Sequence, residues 1–232
     1  MALKKGKQSV NNKRSLITMV DSKSPISEQY RTIRTNIQYS TVDKNVRTLM
    51  VTSSGPGEGK STTVANLAVT FAQQGKKVLL VDADMRKPTV HYTFNQTNTF
   101  GLTSVLTKQI PLEEAISETS VENLFVLTSG PIPPNPSELL SSKSMEQIFQ
   151  TSEKLFDIIL FDTPPLLAVT DAQILANRCE GTILVVYSGR TEKDQMLKAK
   201  ELLDSAQSKL LGVVMNHKNM KDTNYYYYYG AK

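Results

Sequence analysis

The 232-residue sequence predicts an α/β fold, a mostly parallel β-sheet flanked by helices, on three observations. Short, near-continuous apolar runs recur after residue 45, helical patterns separate most of them, and a glycine-rich loop joins the first run to a helix. Apolar runs without alternation are what a strand buried on both faces requires, and strands linked through helices pack as a parallel sheet.

The elements follow in chain order. Residues 1–24 read as a flexible basic arm, in which Lys4, Lys5, Lys7, Lys13 and Arg14 surround no long apolar core, unlike a signal peptide. Residues 25–40 predict a helix with Ile26, Tyr30, Ile33 and Ile37 on one face. Apolar composition places strands at 47–53, 77–82, 124–128, 156–162, 182–187 and 210–215. Val64, Leu67, Ala68 and Phe71 recur at helical spacing after the glycine-rich loop, and Gly75 is placed to end that helix. A further helix covers 191–206, and residues 130–136, with four prolines, form a stiff loop. Residues 25–217 are thus one domain, followed at 218–232 by a polar tail in which Tyr225, Tyr226, Tyr227, Tyr228 and Tyr229 stand in succession.

Composition narrows the class. A 39% apolar and 21% charged chain can bury a core, and no apolar run approaches the ~20 residues that span a bilayer. Cys179 is the single cysteine, which excludes a disulfide framework within the chain and fits a cytoplasmic location. The net charge of +5 owes much to the arm, whose first fourteen residues hold five positive charges and no acid. Such an arm suits solvent or an anionic membrane surface, and direct nucleic-acid binding is not expected without a stacking or groove-reading signature.

The loop Ser54-Gly55-Pro56-Gly57-Glu58-Gly59-Lys60-Ser61 carries the chemistry. Glycines let a backbone fold tightly and aim its N–H groups at phosphates, here at the N-terminus of a helix. Lys60 would reach the β- and γ-phosphates and Ser61 would place its hydroxyl on Mg²⁺, so Gly55, Gly57, Glu58, Gly59, Lys60, Ser61 and Thr62 form the expected ATP site. The pattern asks for Gly where this chain has Ser54, and Gly55 and Gly57 are expected to supply the missing flexibility.

Three aspartates fall at strand ends, where ligands of open α/β sheets gather. Asp84 and Asp162 offer the hard oxygens that Mg²⁺ prefers, alongside Ser61, which leaves Asp82 free to act as a base. Taken singly, each aspartate reads first as a turn former or helix cap, and it is the three together in one ATP-binding pattern that favour the functional reading. The tyrosine run is either a sticky surface for a partner or, beside an ATP site, a substrate: a phenol titrates near ~10 and its attack on phosphorus benefits from a nearby base.

Together these features resemble the bacterial tyrosine kinases of the P-loop type, in the Gram-positive form whose cytoplasmic kinase is a separate polypeptide. The resemblance runs from about Ile26 to the end and rests on Pro56 to Ser61, Asp82-x-Asp84-x-Arg86-x-Pro88, Asp162-Thr163-Pro164-Pro165, Pro133 to Glu138 and the tail tyrosines. It implies a P-loop NTPase fold like that of partitioning ATPases, with Asp82 as base and Ser61, Asp84 and Asp162 at Mg²⁺. It also implies ring-like self-association through Glu28-x-x-Arg31-x-x-Arg34, phosphorylation of Tyr225–Tyr229 between subunits, and activation by a membrane-spanning modulator. Regulation of exopolysaccharide or capsule production and phosphorylation of other proteins on tyrosine belong to the same expectation. The rivals are a partitioning or division-type switch ATPase and a non-catalytic ATP-binding scaffold. The first usually carries a lysine where this chain has Gly55.

Overall fold

The computed structural model describes residues 16–40 and 46–218; most of the arm, residues 41–45, and the tail from 219 with Tyr225–Tyr229 lie outside the described residues. Seven strands build one sheet: β1 (Thr48–Ser53), β2 (Val78–Asp82), β3 (Ile116–Glu118), β4 (Leu124–Leu127), β5 (Ile158–Asp162), β6 (Gly181–Tyr187) and β7 (Leu210–Asn216). Their order is β3-β4-β2-β5-β1-β6-β7, and every neighbouring pair is parallel except β3–β4.

Among the described residues there are ten helices, two before β1 and eight between strands. They are α1 (Ile17–Val20), α2 (Pro25–Tyr39), α3 (Lys60–Ala72), α4 (Val90–Phe94), α5 (Leu102–Leu106), α6 (Leu112–Ala115), α7 (Pro136–Ser141), α8 (Lys143–Leu155), α9 (Asp171–Arg178) and α10 (Lys193–Ser205). Strand side chains alternate between two faces, and each face has its own core. Leu49, Val51, Leu80 and Leu160 pack with Val64, Leu67, Ala68 and Phe71 of α3. Met50, Leu79, Val81 and Phe161 pack instead with Leu140, Met145, Phe149, Leu175 and Leu203 from α7–α10. The two apolar layers make the central strands buried on both sides, which is why their sequences do not alternate.

Local signals set the helix ends. Ser24 caps α2 by accepting from Ser27 N–H at 3.2 Å, with Pro25 at the first helical position. Beyond the C-terminus of α3, Gly75 takes a φ of +84°, which a glycine adopts without steric cost.

Three features depart from the sequence reading. β3 was not expected: three residues, one of them charged, give no periodic signal, yet they pair antiparallel with β4 and cover that edge. β7 is apolar but lies at the opposite edge, so Val213 and Met215 are 48% and 58% exposed. Residues 1–24 were expected to form a flexible arm, but its last part packs on the domain: Leu16 and Thr18 are buried, and Thr18 bonds Asn66 Oδ1 of α3 through its N–H at 3.1 Å and its hydroxyl at 2.9 Å.

Candidate functional site

The glycine-rich loop leaves the central strand β1 and enters α3, so its backbone stands at the carboxyl edge of the sheet. Gly57 and Gly59 adopt φ of +77° and +95°, and a Cβ on Gly59 would lie 2.0 Å from Asn216 Nδ2. The left-handed conformation therefore favours glycine at Gly59, and a side chain there would also have to displace Asn216 from its bond to Glu58 O. Ser54 is not among the residues with positive φ, so the departure at the first position introduces no left-handed strain. Gly55 is not among them either; of the two glycines expected to compensate, Gly57 alone uses that freedom.

Lys60 opens α3 and its Nζ meets three side chains at once. It lies 2.9 Å from Asp84 Oδ2, 3.3 Å from Asp162 Oδ1 and 3.2 Å from Ser61 Oγ. One ammonium touching all three means that they converge on a common point. Burial lowers the Lys60 pKa, but Asp162, Asp84 and Asp82 together more than offset this and raise it above the usual value. Asp84 also accepts from Lys87 N–H at 3.0 Å, which fixes the turn after β2. Thr62 follows half-buried in the first turn of α3.

Asp82 and Asp162 sit side by side because β2 and β5 pair in register at these residues. Asp82 is fully buried; its Oδ2 accepts from Thr89 and Val90 N–H, both at 2.9 Å, while Oδ1 has no partner among the described residues. Burial and then the charge of Asp162 push its carboxyl up to about 7, against the pull of the two N–H groups and Lys60. Asp162 is also raised, by burial first, and its Oδ2 has no partner among the described residues. Asp82 thus has a structural duty, holding the start of α4, in addition to whatever chemistry it performs.

These residues fit the groups the sequence calls for. Three carboxylates face one ammonium, and the excess negative charge, hard oxygens and unpartnered buried carboxylate oxygens suit a divalent cation bound with phosphates. Ser61, Asp84 and Asp162 would hold that cation; the loop N–H groups and Lys60 would hold the phosphates.

Other predicted residues stand apart from this point. Glu28 pairs with Arg31 along α2, Arg31 donates to Ser22 O at 2.7 Å, and Arg34 donates to Thr70 O of α3 at 2.8 Å. Arg34 is therefore partly spent on a helix carbonyl of its own chain. The Tyr30 hydroxyl bonds Thr63, and its pKa is raised because burial outweighs that bond. The Glu58 side chain faces its own loop and not the Lys60 cluster, so any contact with phosphates would come through its backbone.

Several site residues were not visible in the sequence. Asp171, fully buried at the start of α9, accepts from Arg86 Nε at 2.9 Å, Arg86 Nη2 at 3.0 Å and Ser137 Oγ at 2.6 Å. This carboxylate joins the turn after β2, the proline-rich segment and the chain after β5. Thr191, in the turn after β6, and Asn216, at the end of β7, reach the phosphate loop. Partners 133 and 158 residues from Glu58 leave no local pattern to read.

Residues 46–188 match the AAA domain family. The chain is 56% identical over 232 residues to tyrosine-protein kinase YwqD of Bacillus subtilis, covering 100% of this chain and 98% of the relative. It is 42% identical to tyrosine-protein kinase CpsD of Streptococcus agalactiae serotype III over 214 residues, 90% of this chain and 91% of the relative. Among solved structures, the chimerical protein CapA2B2 superposes with a TM-score of 0.84 at 47% identity, covering 86% of this chain and 88% of that one. The cell division ATPase MinD of Pyrococcus furiosus aligns less fully, with a TM-score of 0.62 at 27% identity over 73% of this chain and 71% of its own.

Proposed function

The chain belongs to the bacterial P-loop tyrosine-protein kinases, and from that membership we propose that it transfers the γ-phosphoryl of ATP to tyrosines of its own C-terminal tail, between subunits. The observation that carries this reading is the convergence of Lys60, Ser61, Asp84 and Asp162 on one point beside Asp82. In the proposed reaction the loop amides and Lys60 hold the phosphates, and Asp82 accepts the phenolic proton as the tyrosine oxygen bonds to the γ-phosphorus and ADP leaves. Mg²⁺ supplies electrostatic stabilisation of the phosphate charge. Asp82 is fully buried, so an incoming phenol reaches its unpartnered Oδ1 only if residues around it move.

The tail tyrosines Tyr225–Tyr229 are the proposed acceptors, and each phosphate would add about −1.5 to −2 charges. Five of them would repel one another and any acidic surface, which supports a cycle of assembly through α2, modification and release. Among the described residues no helix is long and apolar enough to cross a membrane. Attachment at the inner membrane face is accordingly assigned to a membrane-spanning modulator, with exopolysaccharide or capsule production as the regulated process. Other proteins are further substrates in this reading.

The test is mass spectrometry after incubation with Mg²⁺-ATP, with and without a modulator's cytoplasmic segment, and Lys60→Met as control. Phosphate on Tyr225–Tyr229 that disappears in the control is the expected result. ATP hydrolysis with no phosphotyrosine, even with a verified modulator, would favour the switch ATPase; neither hydrolysis nor phosphotyrosine would favour the scaffold.

A further inference from the structure

The phosphate loop is tied to a part of the chain that has no place in the reaction described above. Glu58 is a buried carboxylate turned back on its own loop, where Oε2 accepts from Ser54 N–H at 2.9 Å. That bond closes the loop between its first and fifth residues. The other oxygen, Oε1, accepts from Thr191 Oγ1 at 2.6 Å.

Thr191 is well placed for this because its turn is fixed. Its hydroxyl oxygen accepts from Tyr187 N–H at 2.8 Å, and its own N–H donates to Tyr187 O at 2.9 Å. Gly189 turns the chain between them with a φ of +75°. The hydroxyl oxygen accepts from Tyr187 with one of its two lone pairs and keeps its single proton, and a carboxylate oxygen can only accept, so Thr191 is the donor to Glu58. A second tie, from Asn216 Nδ2 to Glu58 O at 3.0 Å, holds the same residue from β7.

We propose that Thr191 is a positioning residue for nucleotide binding: it fixes the Glu58 carboxylate, which in turn holds the phosphate loop in its receiving shape. A phosphate loop works by presenting N–H groups already aimed inward, and a loop that must be ordered during binding loses affinity to that ordering. Without the Thr191 hydroxyl, one oxygen of a buried carboxylate has no donor, and water becomes the better partner for Glu58. Glu58 then turns outward and releases Ser54 N–H. The loss of one charge-assisted hydrogen bond corresponds to about a tenfold weaker affinity.

This inference rests on the ATP-site reading, and its test separates the two. A fluorescent N-methylanthraniloyl ADP is titrated with Mg²⁺ into the unaltered chain, Thr191→Val and Thr191→Ser, and amide hydrogen exchange of residues 53–59 is followed without nucleotide. The expected result is about tenfold weaker binding for Thr191→Val, near-normal binding for Thr191→Ser, and faster exchange at Ser54 in the valine variant alone. Melting temperatures of all three should agree within a few degrees. Binding by Thr191→Val within twofold of the unaltered chain, with Ser54 still protected, would overturn the proposal. So would equal losses of binding and melting temperature in both variants, which mark a merely structural role. If the unaltered chain bound no nucleotide, the ATP-site reading would fall, and Ser54 exchange would still decide whether Thr191 braces the loop.

Discussion

Replacing Asp82 with Asn separates its two duties. The amide keeps an oxygen for the Thr89 and Val90 N–H groups, both at 2.9 Å, and places nitrogen where Oδ1 has no described partner. Only the charge and the basicity are lost. With the carboxyl held up at about 7, folding favours its protonated form, so its contribution to stability is present at low pH and lost as pH rises. The window runs from the ordinary aspartate value near ~4 to about 7, and at ~1.4 kcal/mol per pH unit the ceiling is about 4 kcal/mol. In urea unfolding without nucleotide or Mg²⁺, Asp82→Asn should differ little from the unaltered chain near pH 4, by about 0.5 kcal/mol. At pH 7.5 it should be more stable by about 1 to 4 kcal/mol. Asp82→Ala, which also removes both backbone bonds, should instead lose about 2–4 kcal/mol at pH 4.5. Tail phosphorylation by Asp82→Asn should fall about 10²- to 10⁴-fold. Parallel pH–stability profiles for Asn and the unaltered chain would refute the electrostatic argument; phosphorylation within tenfold of normal would remove Asp82 as the base.

Three further outcomes follow from the same geometry. Gly59→Ala forces a side chain into φ +95° and against Asn216, so it should cost about 2 kcal/mol or more and abolish fluorescent-nucleotide binding; unchanged binding would mean the loop is not the site. Asp171→Ala removes a buried carboxylate from Arg86 and Ser137, but Arg86 is 41% exposed and can turn to water. The cost read from chemical unfolding should therefore be about 2 kcal/mol, below the ~3–5 of a fully buried pair, and a loss under about 0.5 would deny that Asp171 ties these segments together. Burial raises the Cys179 thiol well above its usual value, so a thiol reagent should label it only as fast as the chain unfolds. Rapid labelling in native buffer would show that α9 opens independently.

The sequence alone determined whatever depends on near neighbours. Six apolar runs without alternation gave the six parallel strands, all buried but the last, the Gly57–Ser61 segment gave the loop at a helix start, and Asp82, Asp84 and Asp162 fell at strand ends for any sheet of this class. Those signals are periodicity and turn chemistry, which act within a few residues. Strand order lies beyond them. That Asp82 stands beside Asp162 follows from β2 pairing with β5 in one register. That an apolar β7 is half exposed follows from its place at the sheet edge, and the three residues of β3 become a strand only because β4 offers them a ladder. Glu58 illustrates the same division at the site. Its place in the loop marks it for phosphate, but the arrival of Thr191 from the turn after β6 gives its carboxylate a second donor beside Ser54 N–H, while Asn216 at the end of β7 holds its backbone carbonyl; a buried charge goes where donors are and the fold decides where donors stand.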